Sequence, residues 1–202
     1  MLAELDAAVA SDHFGLADNE QEWFDVVDET DTVISREKRS VCHRKGLLHR
    51  ACYVWVFNPA GELLLQKRSP LKKIGPSQWD LSVAEHLQPG ETYRQGAVRG
   101  LQEELGVSVS EAALEGPLAP THKRELHQGD FHDVELVQSF RLVNFTGNLS
   151  LDIGEVADAK YMALDQLRRH ATQYPEAYTG WFLAEVASLN WFQREGDGSK
   201  PP

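Results

Sequence analysis

The run GETYRQGAVRGLQEELGV, residues 90–107, constrains the fold more than any other stretch of the chain. Thr92 and Gln95 have the capping-box spacing that begins a helix, and Gly106 is typical of the position just past a helix end. Apolar side chains recur on one helical face at Tyr93, Ala97, Leu101 and Leu105. The pattern predicts a helix from about Thr92 to Leu105 with one buried face.

Two glutamates lie at the end of this helix, where negative charge is unfavourable. Glu103 and Glu104 face the partial negative charge of the terminal carbonyl groups. Gly100 lies one turn earlier on the same face, and an interior glycine costs about 1 kcal/mol relative to alanine. A cation bound between the two glutamates would make their negative charges favourable at this end of the helix. The structural alternative is a solvated face on which Arg99 pairs with Glu103.

The same run resembles the signature of the Nudix superfamily, G-x5-E-x7-R-E-U-x-E-E-x-G-U, in which U is a bulky apolar residue. The matching positions are Glu91, Arg99, Leu101, Glu103, Glu104, Gly106 and Val107. Glu85 replaces the first glycine, and Gly100 replaces the glutamate that follows the arginine. The resemblance implies an α/β fold, an α/β/α sandwich with a mixed sheet, that binds Mg²⁺ or Mn²⁺ against a diphosphate.

The resemblance also implies roles for the helix residues. Glu103 and Glu104 match metal ligands, while Glu104 and Arg99 match catalytic positions, the arginine orienting a glutamate. In many hydrolytic members the residue at the place of Gly100 is another ligand and sometimes the base. Its absence predicts slow hydrolysis, or a base that has moved to Glu85, Asp133 or Glu135. We expect Gly100→Glu to help the helix by under about 1 kcal/mol.

Residues 47–86, from LLHRA to SVAEH, are similar to the isopentenyl diphosphate isomerase branch of this superfamily. Arg68 and Lys72 match an arginine and a lysine that hold the substrate diphosphate, a role that suits cations beside a metal. A solvated basic turn is the alternative. Ala84 stands where the isomerases have a catalytic cysteine, and alanine cannot transfer a proton. The isomerase reaction is therefore not expected.

The isomerase resemblance implies a second set of polar residues. His49 and His86 match metal ligands, and Glu135 matches a glutamate of the family, with Asp133 beside it. Cys42 or His43 stands for a further histidine, since the alignment is ambiguous by one residue. Imidazole with carboxylate is a sensible set for a divalent metal. Hydrogen-bonded or surface histidines are the alternative.

Apolar patterns predict the remaining elements. WFDVVDETDTVIS reads as strand, turn and strand, RACYVWVF and ELLLQKR as a hairpin, and WDLSVAEH and VELVQSFRLV as strands. The histidine-rich run THKRELHQGDFHDVEL reads as a surface loop that enters a strand. LDQLRRHA and residues 175–194 read as helices, the latter with an aromatic stripe predicted to be core.

Length and charge bound the class of protein. A chain of 202 residues is long enough for one domain. We predict a polar extension over residues 1–20, a single Nudix domain over 21–195 with its box at 85–107, and a disordered tail over 196–202. The net charge of −11 argues against nucleic-acid and membrane partners. Cys42 and Cys52 lack a C-x-x-C spacing, which fits a reducing compartment and predicts a cytoplasmic location. A homodimer is left open.

These patterns together predict a metal-dependent Nudix hydrolase with Mg²⁺ or Mn²⁺ as cofactor. Its substrate would be a nucleoside or other small-molecule diphosphate compound, cleaved at the diphosphate linkage. Two alternatives stand beside it. One is an isopentenyl diphosphate isomerase-like enzyme that lacks the usual cysteine. The other is a catalytically weak module that binds a diphosphate.

Overall fold

The computed structural model describes residues 18–192. The predicted tail and most of the predicted N-terminal extension lie outside this range. The strands are β1 (Trp23–Val27), β2 (Val33–Lys38), β3 (Leu48–Val56), β4 (Leu63–Arg68), β5 (Trp79–Asp80), β6 (Val83–His86), β7 (His122–Gln128), β8 (Phe131–Leu142) and β9 (Val156–Met162). The α-helices are α1 (Arg39–Lys45), α2 (Tyr93–Leu105), α3 (Leu164–Gln173) and α4 (Gly180–Ser188).

The strands form three sheets, in the orders β6-β3-β8-β7, β5-β4-β9 and β1-β2. In the largest sheet β3 runs parallel to β8 and antiparallel to β6, so the sheet is mixed. Apolar side chains of β3 point alternately to two cores. One core contains buried residues of α3 and α4, and the other contains buried residues of α2. Helices therefore cover both faces, and the predicted α/β sandwich with a mixed sheet is confirmed.

Helix α2 begins and ends where the sequence predicts. The Thr92 side chain accepts a hydrogen bond from Gln95 N, and the Gln95 side chain accepts one from Thr92 N, which completes the capping box. Gly106 ends the helix with φ of 67°, a left-handed conformation that favours glycine. No helix between residues 18 and 192 is both long and apolar enough to span a membrane.

The predicted hairpin of β3 and β4 is wrong. Both long sides of β3 are occupied, one by β6 and the other by β8, so β4 pairs instead with β5 and β9. A single antiparallel bridge between Phe57 and Leu63 is what joins the two strands. The stretch WDLSVAEH likewise divides, because Trp79–Asp80 joins one sheet and Val83–His86 the other. This division brings the two sheets together at one cavity.

The predicted surface loop before β8 is also wrong in part. His122–Gln128 is strand β7, which pairs antiparallel with β8 along its whole length. Its half-buried positions carry His122, Arg124 and Leu126, so most of the inward face is polar. Because the usual alternation of apolar and polar residues is absent, the sequence pattern gave no strand signal here.

Candidate active site

A cavity of about 390 Å³ opens where residues of both larger sheets meet α1, α2 and α4. Its wall is rich in charged side chains from the sheets, from α1 and α2 and from connecting segments, whereas α4 contributes Trp181. The charged side chains include Asp18, Arg39, His43, Arg68, Lys72, Glu85, His86, Arg99, Glu103, Glu104, Arg124, Asp133, Glu135 and Glu155. A cavity that gathers so many ionisable groups is a candidate active site.

Three histidines and an aspartate converge at one wall of this cavity, with His49 buried behind the lining, and we call them the histidine centre. His43 comes from α1, His49 from β3, His86 from β6 and Asp133 from β8. Each offers one ligand atom, and the four atoms lie within 4.8 Å of one another. His49 Nε2 is 3.3 Å and His43 Nε2 is 3.7 Å from Asp133 Oδ1. The structure thus selects His43, and not Cys42, as the further histidine.

The four ligand atoms of the histidine centre are buried, and none makes a hydrogen bond of good geometry within the described part of the chain, although carboxylate oxygens lie close to them. The four atoms are His43 Nε2, His49 Nε2, His86 Nε2 and Asp133 Oδ1. Leaving a buried polar group unsatisfied costs about 1–3 kcal/mol, and one cation among the four atoms would satisfy all of them. Three imidazole nitrogens and one carboxylate suit a transition-metal ion such as Mn²⁺ or Zn²⁺ better than Mg²⁺, which prefers oxygen ligands. The residues present therefore fit a metal.

Neighbouring groups hold the imidazoles in a form that can bind a metal. His49 Nδ1 lies 2.8 Å from Leu47 O, an interaction that points Nε2 into the centre. Phe24 packs against the rings of His49 and His86 with centroid distances of 4.9 and 4.7 Å. Burial lowers the pKa of His43 to about 2, which keeps its imidazole neutral. A neutral imidazole is the form that binds a metal.

Arg124 on β7 holds the two carboxylates of β8. Its Nη2 lies 2.8 Å from Asp133 Oδ2 and 2.6 Å from Glu135 Oε2. The other oxygen of Glu135 lies 2.9 Å from His86 Nε2. Burial opposes ionisation of Asp133, but the close imidazole of His49 and the positive charge of Arg124 hold its pKa well below the usual range. Arg124 was not predicted as a site residue, because its strand was predicted to be a surface loop.

A second group of acidic side chains lines the cavity, and we call Glu85, Glu104 and Glu155 the carboxylate cluster. Glu104 is buried, and its Oε2 accepts a hydrogen bond of 2.9 Å from Gln66 Nε2. Burial raises the pKa of Glu104 well above its usual range, and the charges of Glu85 and Glu155 add to this. Burial likewise raises the pKa of Glu85 to about 7. A divalent cation would relieve this crowding of negative charge.

Arg99 ties the box helix to strand β6. Its Nε and Nη2 donate to the two oxygens of Glu91 at 2.9 and 3.0 Å, and Nη2 also donates to His86 O at 2.7 Å. Nη1 donates to Glu103 at 2.9 Å. The Glu103 side chain is 54% exposed, whereas Glu104 is buried. The predicted ligand Glu104 is therefore a buried residue of the cavity lining. The other predicted ligand, Glu103, lies at the rim of the cavity.

The two predicted phosphate-binding cations line the cavity but are already engaged. Lys72 is buried, and its Nζ lies 2.6 Å from Glu155 and 3.0 Å from Asp18. Arg68 donates to Ile74 O and lies 3.4 Å from Asp80. These contacts exclude the alternative of a solvated basic turn at Arg68 and Lys72.

Trp181 packs against the core, as predicted for the aromatic stripe near the C-terminus, but it also lines the cavity. Its ring centroid lies 5.1 Å from the guanidinium group of Arg68 and 5.5 Å from that of Arg124. Its Nε1 donates to Asp80 at 2.9 Å. Tyr178 and Phe182 from the same stripe are core residues, as predicted. The helical period could not distinguish these positions, because the cavity interrupts the core on this side of α4.

Gly100 is packed against β6, which overturns the expectation for Gly100→Glu. A Cβ atom at this position would lie 2.8 Å from Val83 Cγ1 and 3.0 Å from Glu85 Cβ. Cβ contacts this short require a neighbour to move, so the substitution strains the interface between helix and strand. Helix propensity alone would make Gly100→Glu stabilising, but the close packing against β6 makes the substitution destabilising.

Comparison with known families agrees with this geometry. The NUDIX domain model matches residues 47–181, and the chain belongs to the Nudix family. An isopentenyl-diphosphate Delta-isomerase of Pectobacterium atrosepticum is 32% identical over 165 residues, which cover 81% of this chain and 89% of that protein. An uncharacterized Nudix hydrolase of Clostridium acetobutylicum is 33% identical, with 74% of each chain covered. The predicted class of enzyme, which acts on phosphorus-containing anhydrides, is confirmed at this level.

A further relative shares only a part of its length with this chain. Nudix hydrolase 3 of Arabidopsis thaliana is 34% identical over 166 residues, which are 78% of this chain but 21% of that protein. Among solved structures, a Deinococcus radiodurans protein has a TM-score of 0.61 at 22% identity and covers 83% of this chain and 99% of that chain. A MutT protein of Methanosarcina mazei has a TM-score of 0.58 at 16% identity, covering 73% and 96%. These structural likenesses show the fold.

Proposed function

We propose that the protein is a divalent-metal-dependent hydrolase of a nucleoside or other small-molecule diphosphate compound, cleaved at the diphosphate linkage. The observation that carries this proposal is that the histidine centre lies at the wall of one cavity, which is also lined by the carboxylate cluster and the cations Arg68 and Lys72. Metal-ligating groups of two kinds beside fixed cations suit a ligand with many anionic oxygens.

The histidine centre would hold a transition-metal ion, for which Mn²⁺ is the better of the two predicted cofactors. Glu104, with Glu103 at the rim, would hold Mg²⁺ or a second Mn²⁺ against the diphosphate. When bound, such ions polarise phosphoryl oxygens and make water more acidic. This division assigns the softer imidazole ligands and the harder carboxylates to ions that match them.

The protein's own side chains would bind and orient the reactants. Arg68 and Lys72 donate to phosphate oxygens, which requires each to exchange one of its present partners. Arg99 keeps β6 and the box helix in register. A water oxygen attacks phosphorus, the bridging oxygen leaves with its electron pair, and a cavity carboxylate takes the proton from the water. Glu135, fixed by Arg124, is one of the three carboxylates predicted for this step, together with Glu85 and Asp133.

An isomerase-like activity is the second candidate, because several relatives carry that name. Ala84 lines the cavity opposite Tyr53 on the neighbouring strand. Both Cys42 and Cys52 are buried, and neither is among the described residues that line the cavity. The cavity wall therefore lacks the thiol that the isomerase resemblance requires, which favours hydrolysis.

Purified protein incubated with a panel of nucleoside diphosphate derivatives tests the proposal. We expect phosphate-containing products with Mn²⁺ or Mg²⁺, and none after treatment with EDTA. Isopentenyl diphosphate is a separate arm, in which mass spectrometry should find no dimethylallyl diphosphate. Turnover in that arm would establish the isomerase instead. Binding of a diphosphate without hydrolysis under any metal condition would establish the binding module.

The cytoplasmic location predicted from the sequence belongs to this proposal. The choice between a monomer and a homodimer is left open. Sedimentation of the purified protein at several concentrations measures the oligomeric state directly, and fractionation of the source cells measures the location.

A further inference from the structure

The two departures from the Nudix signature are reciprocal. Glu85 stands where the signature has glycine, and Gly100 stands where it has glutamate. One position lies on β6 and the other on α2, fifteen residues later along the chain. Taken separately, each change breaks the pattern. Taken together, they exchange one glycine and one glutamate between two elements that pack on each other.

The two positions share one small volume between helix and strand. A Cβ atom built on Gly100 would lie 3.0 Å from Glu85 Cβ and 3.3 Å from Glu85 Cγ. The stem of the Glu85 side chain therefore occupies the space into which a side chain at position 100 would begin. A side chain at position 100 therefore needs space that Glu85 now fills, and Val83, whose Cγ1 lies 2.8 Å from the same Cβ position, must also shift.

The carboxylate of Glu85 reaches the same part of the cavity as the other box residues. Its Oε2 lies 3.3 Å from Arg99 Nη1, and the side chain lines the cavity together with Glu104. Because Arg99 donates mainly to Glu91 and Glu103 at 2.9 Å, Glu85 keeps acceptor capacity for a cation. A second carboxylate thus lines the cavity with Glu104, and it comes from strand β6 and not from the helix.

We propose that Glu85 is the metal-ligating carboxylate that the signature places on the helix, supplied here from strand β6 and accommodated by Gly100. This inference rests on the proposed function, since it assigns a ligand within that site. It predicts that the site has a full set of carboxylates, so hydrolysis is not slowed by the glycine in the box.

Mg²⁺ binding separates this ligand from the histidine centre, because Mg²⁺ disfavours imidazole ligands. Calorimetry with Mg²⁺ and methylenediphosphonate, a diphosphate analogue that cannot be hydrolysed, should show at least a tenfold loss of Mg²⁺ affinity in Glu85→Gln. Hydrolysis should fall about 10²-fold. Glu111→Gln, an exposed residue outside the cavity, serves as the charge-matched control and should change neither measurement.

The exchange itself is tested by a double-mutant cycle. Gly100→Glu alone should lower the melting temperature and Mg²⁺ affinity, and Glu85→Gly alone should lower Mg²⁺ affinity. The double variant Glu85→Gly/Gly100→Glu should recover both measurements at least in part, which indicates coupling between the sites. Gly96→Ala is the steric control, because its Cβ would contact Leu87 and Cys52. Glu85→Gly should not relieve that strain.

The outcomes distinguish this inference from the proposed function. Unchanged Mg²⁺ affinity in Glu85→Gln, or a double variant no better than Gly100→Glu, would overturn the assignment of Glu85 even if the wild type hydrolyses diphosphates. If the wild type hydrolyses none but Glu85→Gln still loses Mg²⁺, the ligand assignment stands and the proposed reaction fails.

Discussion

Arg124 holds one oxygen of Asp133 at 2.8 Å and leaves the other to face the histidines. That other oxygen, Oδ1, has no hydrogen-bond partner within the described residues, although three imidazole nitrogens surround it. The arginine thus fixes the carboxylate and keeps it ionised, so that one oxygen stays available as a ligand. Such outer partners usually set the affinity of a metal site as much as its orientation.

Arg124→Ala should therefore weaken binding of Mn²⁺ or Zn²⁺ by roughly 10–100-fold. Titration against a chelating dye measures this affinity. Arg124→Lys should recover part of the loss, because it restores the charge but not the paired contacts. Lys123→Ala is the matched control, since that side chain pairs with exposed Glu29 and Glu125. Equal metal affinity in Arg124→Ala and Lys123→Ala would show that Arg124 does not position the ligand.

Loading the histidine centre should stabilise the fold, because it satisfies four buried atoms that otherwise lack partners. At a free metal concentration 100-fold above Kd, we expect a rise in melting temperature of roughly 5–10 °C over metal-free protein. Differential scanning calorimetry with Mn²⁺, Zn²⁺ and EDTA measures it. His43→Ala should abolish most of the shift. His132→Ala should keep it, since His132 packs on His127 outside the centre.

Local signals explain why helix α2 could be predicted from sequence and why the pairing of β3 could not. The capping box, the apolar stripe and the terminal glycine of α2 all lie within fifteen residues. By contrast, β3 has as its parallel partner a strand that is distant in sequence, and no local pattern indicates that partner. The tight turn after β3 was therefore predicted to join two paired strands, although it leads the chain into a different sheet.

The same reasoning separates the parts of the site that were predicted from those that were missed. Family resemblance indicated His49, His86 and Glu135, because these fall in stretches with recognisable patterns. Cys42 and His43 are neighbours, so only the orientation of α1 decides which one enters the cavity. Arg124 was missed because polar residues on the inward face of β7 hide its strand character. A functional site buries charged residues, so the strands that carry them lack the apolar pattern from which strands are predicted.

Lys72→Ala should raise KM for a diphosphate substrate and also lower stability. The second effect is expected because Lys72 is buried and pairs with Glu155 and Asp18. Removing one partner from a buried ion pair can cost about 3–5 kcal/mol. Lys45→Ala is the control, since Lys45 is exposed and is not among the described residues that line the cavity. If both variants keep the same KM and melting temperature as wild type, Lys72 neither binds phosphate nor supports the cavity.

His122 should make stability depend on pH. Its hydrogen bond with Glu185, 3.0 Å away, raises its pKa above the usual value against the opposing effect of burial. Because the folded pKa exceeds the unfolded value of about 6.5, the contribution is present below that pH and is lost as pH rises through the folded pKa. With the His122 side chain 34% exposed, solvent screening limits the contribution to about 1 kcal/mol.

Urea unfolding at about pH 5.5 and about pH 8.5 checks this sign, since the two values bracket the titration of histidine. The stability difference between wild type and His122→Gln should be larger at the lower pH. His127→Gln is the control, because that histidine is exposed and pairs with exposed Glu125. A difference that grows with pH would contradict the assigned pairing.

Tyr53 provides a last test, because its hydroxyl is buried and has no hydrogen-bond partner among residues 18–192. The side chain is 1% exposed and lines the cavity across from Ala84. Burial raises the pKa of Tyr53 well above its usual value, so the group stays a hydrogen-bond donor. A bound diphosphate would offer this donor an oxygen acceptor.

Tyr53→Phe should therefore change stability and ligand binding in opposite directions. Removal of the unsatisfied hydroxyl should stabilise the ligand-free protein by about 1 kcal/mol. Loss of the donor should raise KM for the diphosphate by roughly 3–10-fold, the factor that corresponds to one hydrogen bond. Tyr161→Phe is the matched control, because Tyr161 is partly buried on β9 away from the described cavity residues. A destabilised Tyr53→Phe with unchanged KM would show that the hydroxyl serves the fold and does not face the substrate.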